Sequence, residues 1–170
     1  MDSNGRSVDT PDITWRGDIL NCGWWIVNQR NVGIPYAWGI ASTLVEFDKG
    51  IVEGKFAGNV PEDKSRYGSD STVGVDCSGL LTVCWDLQKK IATGDIPKIA
   101  KIIEIEEIKK GDVFAIPGSH VMLFEKFIDV DKTRVRIIDA TRSTGKVSQR
   151  DFKLEDLLSR GYQGYRKIGI

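Results

Sequence analysis

A thiol, an imidazole and a carboxylate in this chain are spaced so that they can form one nucleophilic site. Cys77 lies in Gly74-Val75-Asp76-Cys77-Ser78-Gly79-Leu80-Leu81, where a strand-like, glycine-flanked approach runs into an amphipathic helix, so the thiol falls in the first helical turn. Unpaired backbone N–H groups and the positive end of the macrodipole favour thiolate over thiol at such a position. The chain has one histidine, His120, so a cysteine–histidine enzyme built on it has a single choice of general base. Asp139, in Ile137-Ile138-Asp139-Ala140, is the acid expected to accept a hydrogen bond from the second ring nitrogen. Such a bond fixes the tautomer and stabilises the imidazolium. The chemistry would be attack of sulfur on a carbonyl, through a thioester.

Strand periodicity supplies the link between the last two groups. His120, Met122 and Phe124 share one face of a strand, and Val135, Ile137 and Asp139 share one face of the next. The three groups converge if both faces belong to one sheet surface and the Cys77 helix packs on it. That helix is expected to continue through Leu80, Cys84 and Leu87 at three- and four-residue steps, which keeps Cys77 on its buried side. Strands are expected at Asp112–Ile116, Val121–Phe127, Thr133–Ala140 and Tyr165–Ile168. Helices followed by an antiparallel meander make the fold class α+β.

Upstream, Ile19, Leu20, Cys22, Gly23, Trp24, Ile26 and Val27 give helical spacing over residues 15–31. Gly33-Ile34-Pro35-Tyr36-Ala37-Trp38-Gly39 breaks that helix, and a second short one is expected over Ile40–Glu46. Trp24-Trp25 could stack on sugars, but one of two adjacent helical residues faces the core, and that reading is preferred. Residues 49–73, rich in glycine and charge, are expected to be a surface insertion and not a second domain. The run Lys98–Lys110 alternates isoleucines with charges and reads as an amphipathic segment covering the sheet. Residues 1–13 are expected to be a flexible segment, and 14–170 a single catalytic domain.

Composition narrows the function classes. With 24 basic residues against 24 acidic ones, no global field exists to hold nucleic acid or an anionic membrane, so small substrates or neutral polymers are expected. Three cysteines and one histidine make neither a disulfide framework nor a zinc site, so no metal and no cofactor is expected. No apolar run of transmembrane length occurs, and the chain starts without the pattern of a signal peptide. The protein is expected either to work in the cytoplasm or to be secreted or in the cell envelope as a form whose export signal has been removed.

Four fragments in order, Tyr36-Ala37-Trp38-Gly39, Asp76-Cys77-Ser78-Gly79-Leu80, Lys110-Gly111-Asp112-Val113 and His120-Val121-Met122-Leu123-Phe124, resemble the successive motifs of NlpC/P60 cysteine peptidases. The resemblance runs from about residue 30 to the C-terminus. It implies a papain-like fold and hydrolysis of peptide or amide bonds in bacterial cell-wall peptides, commonly next to D-γ-glutamyl residues. Its partners would be peptidoglycan peptides or muropeptides. By this resemblance Cys77 matches the nucleophile and His120 the base. Tyr36 matches a tyrosine near the oxyanion site. Asp76 and Ser78 match positions that in some members hold the free amine of the substrate's L-alanine. The third catalytic position, often histidine, falls at Asp139, and the insertion between Gly39 and Gly74 is longer than the family's usual link.

Each residue also has a plainer reading. Tyr36 and Trp38 suit a core aromatic cluster, Asp76 an N-cap, Ser78 a first-turn helix residue, and Asp139 a strand-end turn former. Two other functions fit the same motifs: acyl transfer, with an alcohol or amine replacing water, and a silent envelope-binding module. The silent module is expected to have lost Cys77 or His120, and both are present.

Overall fold

The computed structural model describes residues 30–58 and 70–169. In chain order the elements are α1 (Leu44–Val52), β1 (Phe56–Ala57), β2 (Thr72–Val73), α2 (Cys77–Cys84), α3 (Ile96–Ile99), β3 (Ala100–Ile103), β4 (Val113–Ile116), β5 (His120–Phe127), β6 (Arg134–Thr141), β7 (Lys146–Lys153), α4 (Leu154–Ser159) and β8 (Gln163–Lys167). Strands β3-β8-β4-β5-β6-β7 form one sheet, and every adjacent pair is antiparallel. The class is therefore α+β, with a meander β4-β5-β6-β7 at its centre and edge.

Period-two alternation sorts the apolar side chains of these strands onto two faces. Val113, Ala115, Val121 and Tyr165 pack with Leu81 of α2 and with Trp85 just after it on one face. Phe114, Met122, Phe124, Val135 and Ile137 pack with Ile103, Ile108 and Leu157 on the other, where α4 lies. The helix therefore covers the alternate face to the one expected from His120, Met122 and Phe124. Its core stripe also differs. Cys77, Leu81 and Trp85 line up at four-residue steps, whereas Leu80 is half-buried and Cys84 is exposed, because the helix ends at Cys84 and Trp85 turns inward as its C-cap. Trp85 is fixed there by two bonds: Nε1 donates to the Gly111 carbonyl at 2.9 Å, and its own carbonyl accepts from Lys167 Nζ at 2.6 Å.

Three of the expected strands lie within a residue or two of their places, and the last begins two residues earlier than expected. β3 and β7 were not expected. Residues 100–103, expected to be part of a covering segment, instead form an edge strand beside β8, with Ala100 buried on the α2 face, Ile103 buried on the opposite face, and Lys101 and Ile102 exposed. The short helix begins at Leu44 rather than Ile40, where Thr43 and Glu46 make a reciprocal capping box. It runs into the supposed insertion, whose two ends pair as the parallel strands β1 and β2. The expected helix at 15–31 lies outside the described residues up to 29, as do Cys22 and Trp24-Trp25; Arg30 and Asn31 are not helical.

Candidate active site

The approach to Cys77 is a strap held on both sides by backbone bonds. Val75 N–H donates to the Pro35 carbonyl at 3.1 Å and Ala37 N–H to the Val75 carbonyl at 3.0 Å, so residues 35–37 run parallel to residues 74–76. Gly74 has φ +147°, and a Cβ there would stand 2.5 Å from the Pro35 carbonyl oxygen, so this crossing needs glycine. Asp76 then caps α2. Its Oδ1 accepts from Gly79 N–H at 2.6 Å and from the Ser78 hydroxyl at 3.0 Å, while Oδ2 accepts from Gly39 N–H at 2.8 Å. Gly79 packs so closely on the Ile40 carbonyl that an added Cβ would lie 2.0 Å from its oxygen. The glycine and acid of the Asp-Cys-Ser-Gly run therefore seat the first turn, and the turn carries the half-buried Cys77 thiol.

His120 is the first residue of β5 and sits beside the thiol. Its Nε2 bonds Asp139 Oδ2 at 3.0 Å, which leaves Nδ1 as the ring atom for Cys77. Burial works against the charged imidazolium. Hydrogen bonds to Asp139 and to Cys77, with the negative charge that each of those groups can carry, outweigh it and raise the His120 pKa to about 9. Asp139 is 0% exposed. Burial pushes its pKa up, but the bonds from His120 and Arg150 and the charge of Arg150 hold the carboxyl below its ordinary value. The Tyr162 ring stands edge-on to His120 with centroids 6.4 Å apart. Burial and the Asp139 carboxylate push the Tyr162 hydroxyl pKa up.

The structure thus brings Cys77, His120 and Asp139 together, although α2 packs on the face that Met122 and Ile137 do not use. The site assembles at the end of the sheet. His120 opens β5, Asp139 lies near the end of β6, and the strap passes there, with Val75 packed against Ala140 and Tyr36. A thiol beside an imidazole that bonds a buried carboxylate is an arrangement able to perform acyl transfer through sulfur.

Tyr36 is buried against Val75 and Ala140, within this same strap. Asp76 and Ser78 are 7% and 4% exposed, and their acceptors are already engaged. Lys90 Nζ lies 3.2 Å from Asp76 Oδ2 and donates to Ser78 Oγ at 3.1 Å. An ammonium of the chain itself occupies the acceptors that the resemblance gives to a substrate amine, so here the pair caps and braces the helix.

Two site residues, Arg150 and Tyr162, escaped the sequence reading. Arg150 sits on β7, where Ile137 is its register partner. The signal available was the turn at Arg142-Ser143-Thr144-Gly145 after a clear strand, which announces a hairpin even though the returning strand is mostly polar. Tyr162 had no signal beyond being an aromatic before the last strand. Among the described residues, no group of three or more His, Cys, Asp or Glu side chains could hold a metal ion, and no helix is long and apolar enough to cross a membrane. Comparison with protein-family models, with curated proteins and with solved structures finds no match.

Proposed function

We propose that the protein is a cysteine peptidase or amidase of NlpC/P60 type, with a papain-like arrangement of helix and sheet, that hydrolyses bacterial cell-wall peptides next to a D-γ-glutamyl residue. The observation that carries the reaction class is the bond from His120 to the fully buried Asp139, with the Cys77 thiol close enough to act on the charge of the same imidazole. The bond and substrate class rest on the four ordered motifs that resemble the family.

In this reading the Cys77 sulfur attacks the amide carbon, a C–S bond forms, and the carbonyl electrons move onto oxygen. Backbone N–H groups at the start of α2, with Tyr36 in the adjoining strap, stabilise that oxyanion. Collapse breaks the C–N bond as His120 passes its proton to the leaving amine. His120 then takes a proton from water, the hydroxide adds to the thioester, and collapse releases a carboxylic acid and restores the sulfur. Asp139 keeps the ring oriented through both halves. The protein would meet its substrate in the envelope or outside the cell, or as imported fragments in the cytoplasm.

The test is incubation with purified cell-wall peptides followed by mass identification of products, with Cys77→Ala beside the parent. Two fragments summing to substrate plus one water, formed by the parent alone, support the reading. Equal cleavage by Cys77→Ala, or an untouched peptide pool with folded parent, counts against it.

A further inference from the structure

Asp139 has a second partner that thiol chemistry does not by itself require. Arg150 Nε donates to Asp139 Oδ1 at 3.1 Å, and Arg150 Nη2 donates to Oδ2, the oxygen that also meets His120 Nε2. Oδ1 has no other hydrogen-bond donor among the described residues. The guanidinium lies over the Phe152 ring, 4.9 Å from its centroid, and its backbone is set by the β6–β7 register, two residues along from Ser148, the partner of Asp139. Ring stacking and a fixed strand position together hold the fork against the carboxylate.

We infer that Arg150 is a positioning residue of this site: its fork fixes the Asp139 carboxylate so that one defined oxygen meets His120, and its permanent charge loosens that carboxylate's hold on the imidazolium proton. This rests on the reading of Cys77 and His120 as a hydrolytic pair. A buried carboxylate with one partner would be free to turn, and would leave an oxygen without a donor in a place that water does not reach. A planar bidentate fork removes that freedom, and a lysine cannot copy it.

The charge acts on the acid step. His120 faces Cys77 from α2, Asp139 from β6 and Tyr162 from the segment before β8. Asp139 faces His120, Arg150 and the Tyr162 ring region. Among these, the Arg150 guanidinium is the cation that bonds both carboxylate oxygens. An acid serves best when its pKa lies near the operating pH, and His120 already holds its proton to about 9. Without Arg150 the carboxylate would hold that proton longer, and the leaving amine would receive it more slowly.

The test compares the parent, Arg150→Met and Arg150→Lys by two readouts. The first is the pH titration of the imidazole C2–H proton, one resonance because the chain has one histidine. The second is the steady-state turnover of a γ-D-glutamyl peptide. Arg150→Met should raise the His120 midpoint by about one unit and lower kcat by roughly 10- to 100-fold, with KM within about threefold. Arg150→Lys should keep the midpoint while losing much of kcat, because charge survives and the fork does not. A midpoint unchanged or lowered in Arg150→Met overturns the inference, as does parental kcat in Arg150→Lys. If Arg150→Met does not fold, the Lys variant decides alone. If the parent cleaves no peptide, the hydrolytic reading fails, and the His120 midpoints still decide whether Arg150 acts on the pair.

Discussion

Removing one charge from the centre of the site, with Asp139→Asn, has consequences that can be worked from the contacts. The carboxylate accepts three bonds, one from His120 and two from Arg150. An asparagine amide offers one acceptor oxygen, and its nitrogen only donates. If the oxygen stays with Arg150, the amide nitrogen faces His120 Nε2 and forces the tautomer that puts a proton on Nδ1, toward sulfur. Breaking a buried pair costs about 3–5 kcal/mol when the survivor stays buried. Here Arg150 and His120 keep 31% and 20% of their side-chain surface in contact with solvent, and His120 can also shed its proton, so about 2–3 kcal/mol is expected. For a chain of this size that lowers Tm by about 4–12 °C, leaving a folded protein at assay temperature. The His120 midpoint should fall from about 9 by at least about one unit. Turnover of a γ-D-glutamyl peptide should fall by roughly 10- to 10³-fold, less than in serine enzymes because a thiol depends less on a strong base. Thermal melts, the C2–H titration and kcat/KM on one preparation check all three. A variant with parental activity and a parental midpoint would refute the reasoning and return Asp139 to the role of a strand-end residue.

Stability should depend on the same histidine. Its folded pKa is raised, so between about 6.5 and 9 the folded state binds a proton that the unfolded state has lost. The contribution is complete below about 6.5 and disappears as pH rises through 9, so urea midpoints should fall over that window, and His120→Gln should flatten the decline. Gly79→Ala should cost about 2–3 kcal/mol and lower activity at least about tenfold, since its Cβ would meet the Ile40 carbonyl and push the Cys77 turn away; urea unfolding and turnover check it. Asp76→Ala should cost about 1–2 kcal/mol by chemical denaturation through loss of the cap, and it strips Lys90 of its carboxylate partner.

The parts of the fold legible in the sequence are those where one periodicity dominates. Val113–Ile116 and Arg134–Thr141 alternate or run apolar between turns, so their strands were placed closely. β7 carries Lys146, Ser148, Gln149, Arg150 and Asp151, and its place is set by pairing with β6, which no local pattern reports. The same reason hid Arg150. Cys77 was legible because its helix start is written in a contiguous run, and His120 because it stands alone. The face on which α2 packs was not legible, because alternation tells which residues share a face and not which neighbour covers it. The site nevertheless formed, since Cys77, His120 and Asp139 meet at the sheet's end, where the side of packing matters less. Lys90 filling the acceptors of Asp76 and Ser78 is a loop contact 12 to 14 residues away, with no periodic signature.

The central claim is that His120 makes Cys77 a nucleophile, and the rate of alkylation by iodoacetamide, resolved by peptide mapping for Cys22, Cys77 and Cys84, tests it without any substrate. Cys84 is exposed at the end of α2 and Cys77 only half-buried, so access alone favours Cys84, while packing around Cys84 pushes its thiol pKa up; the response to His120→Ala separates these effects from a role of His120. The account predicts that at pH 6 Cys77 is modified first in the parent, and that His120→Ala slows it by at least about tenfold while leaving the other two rates unchanged. Labelling of Cys77 no faster than Cys84, or a rate at Cys77 indifferent to His120→Ala, would contradict it.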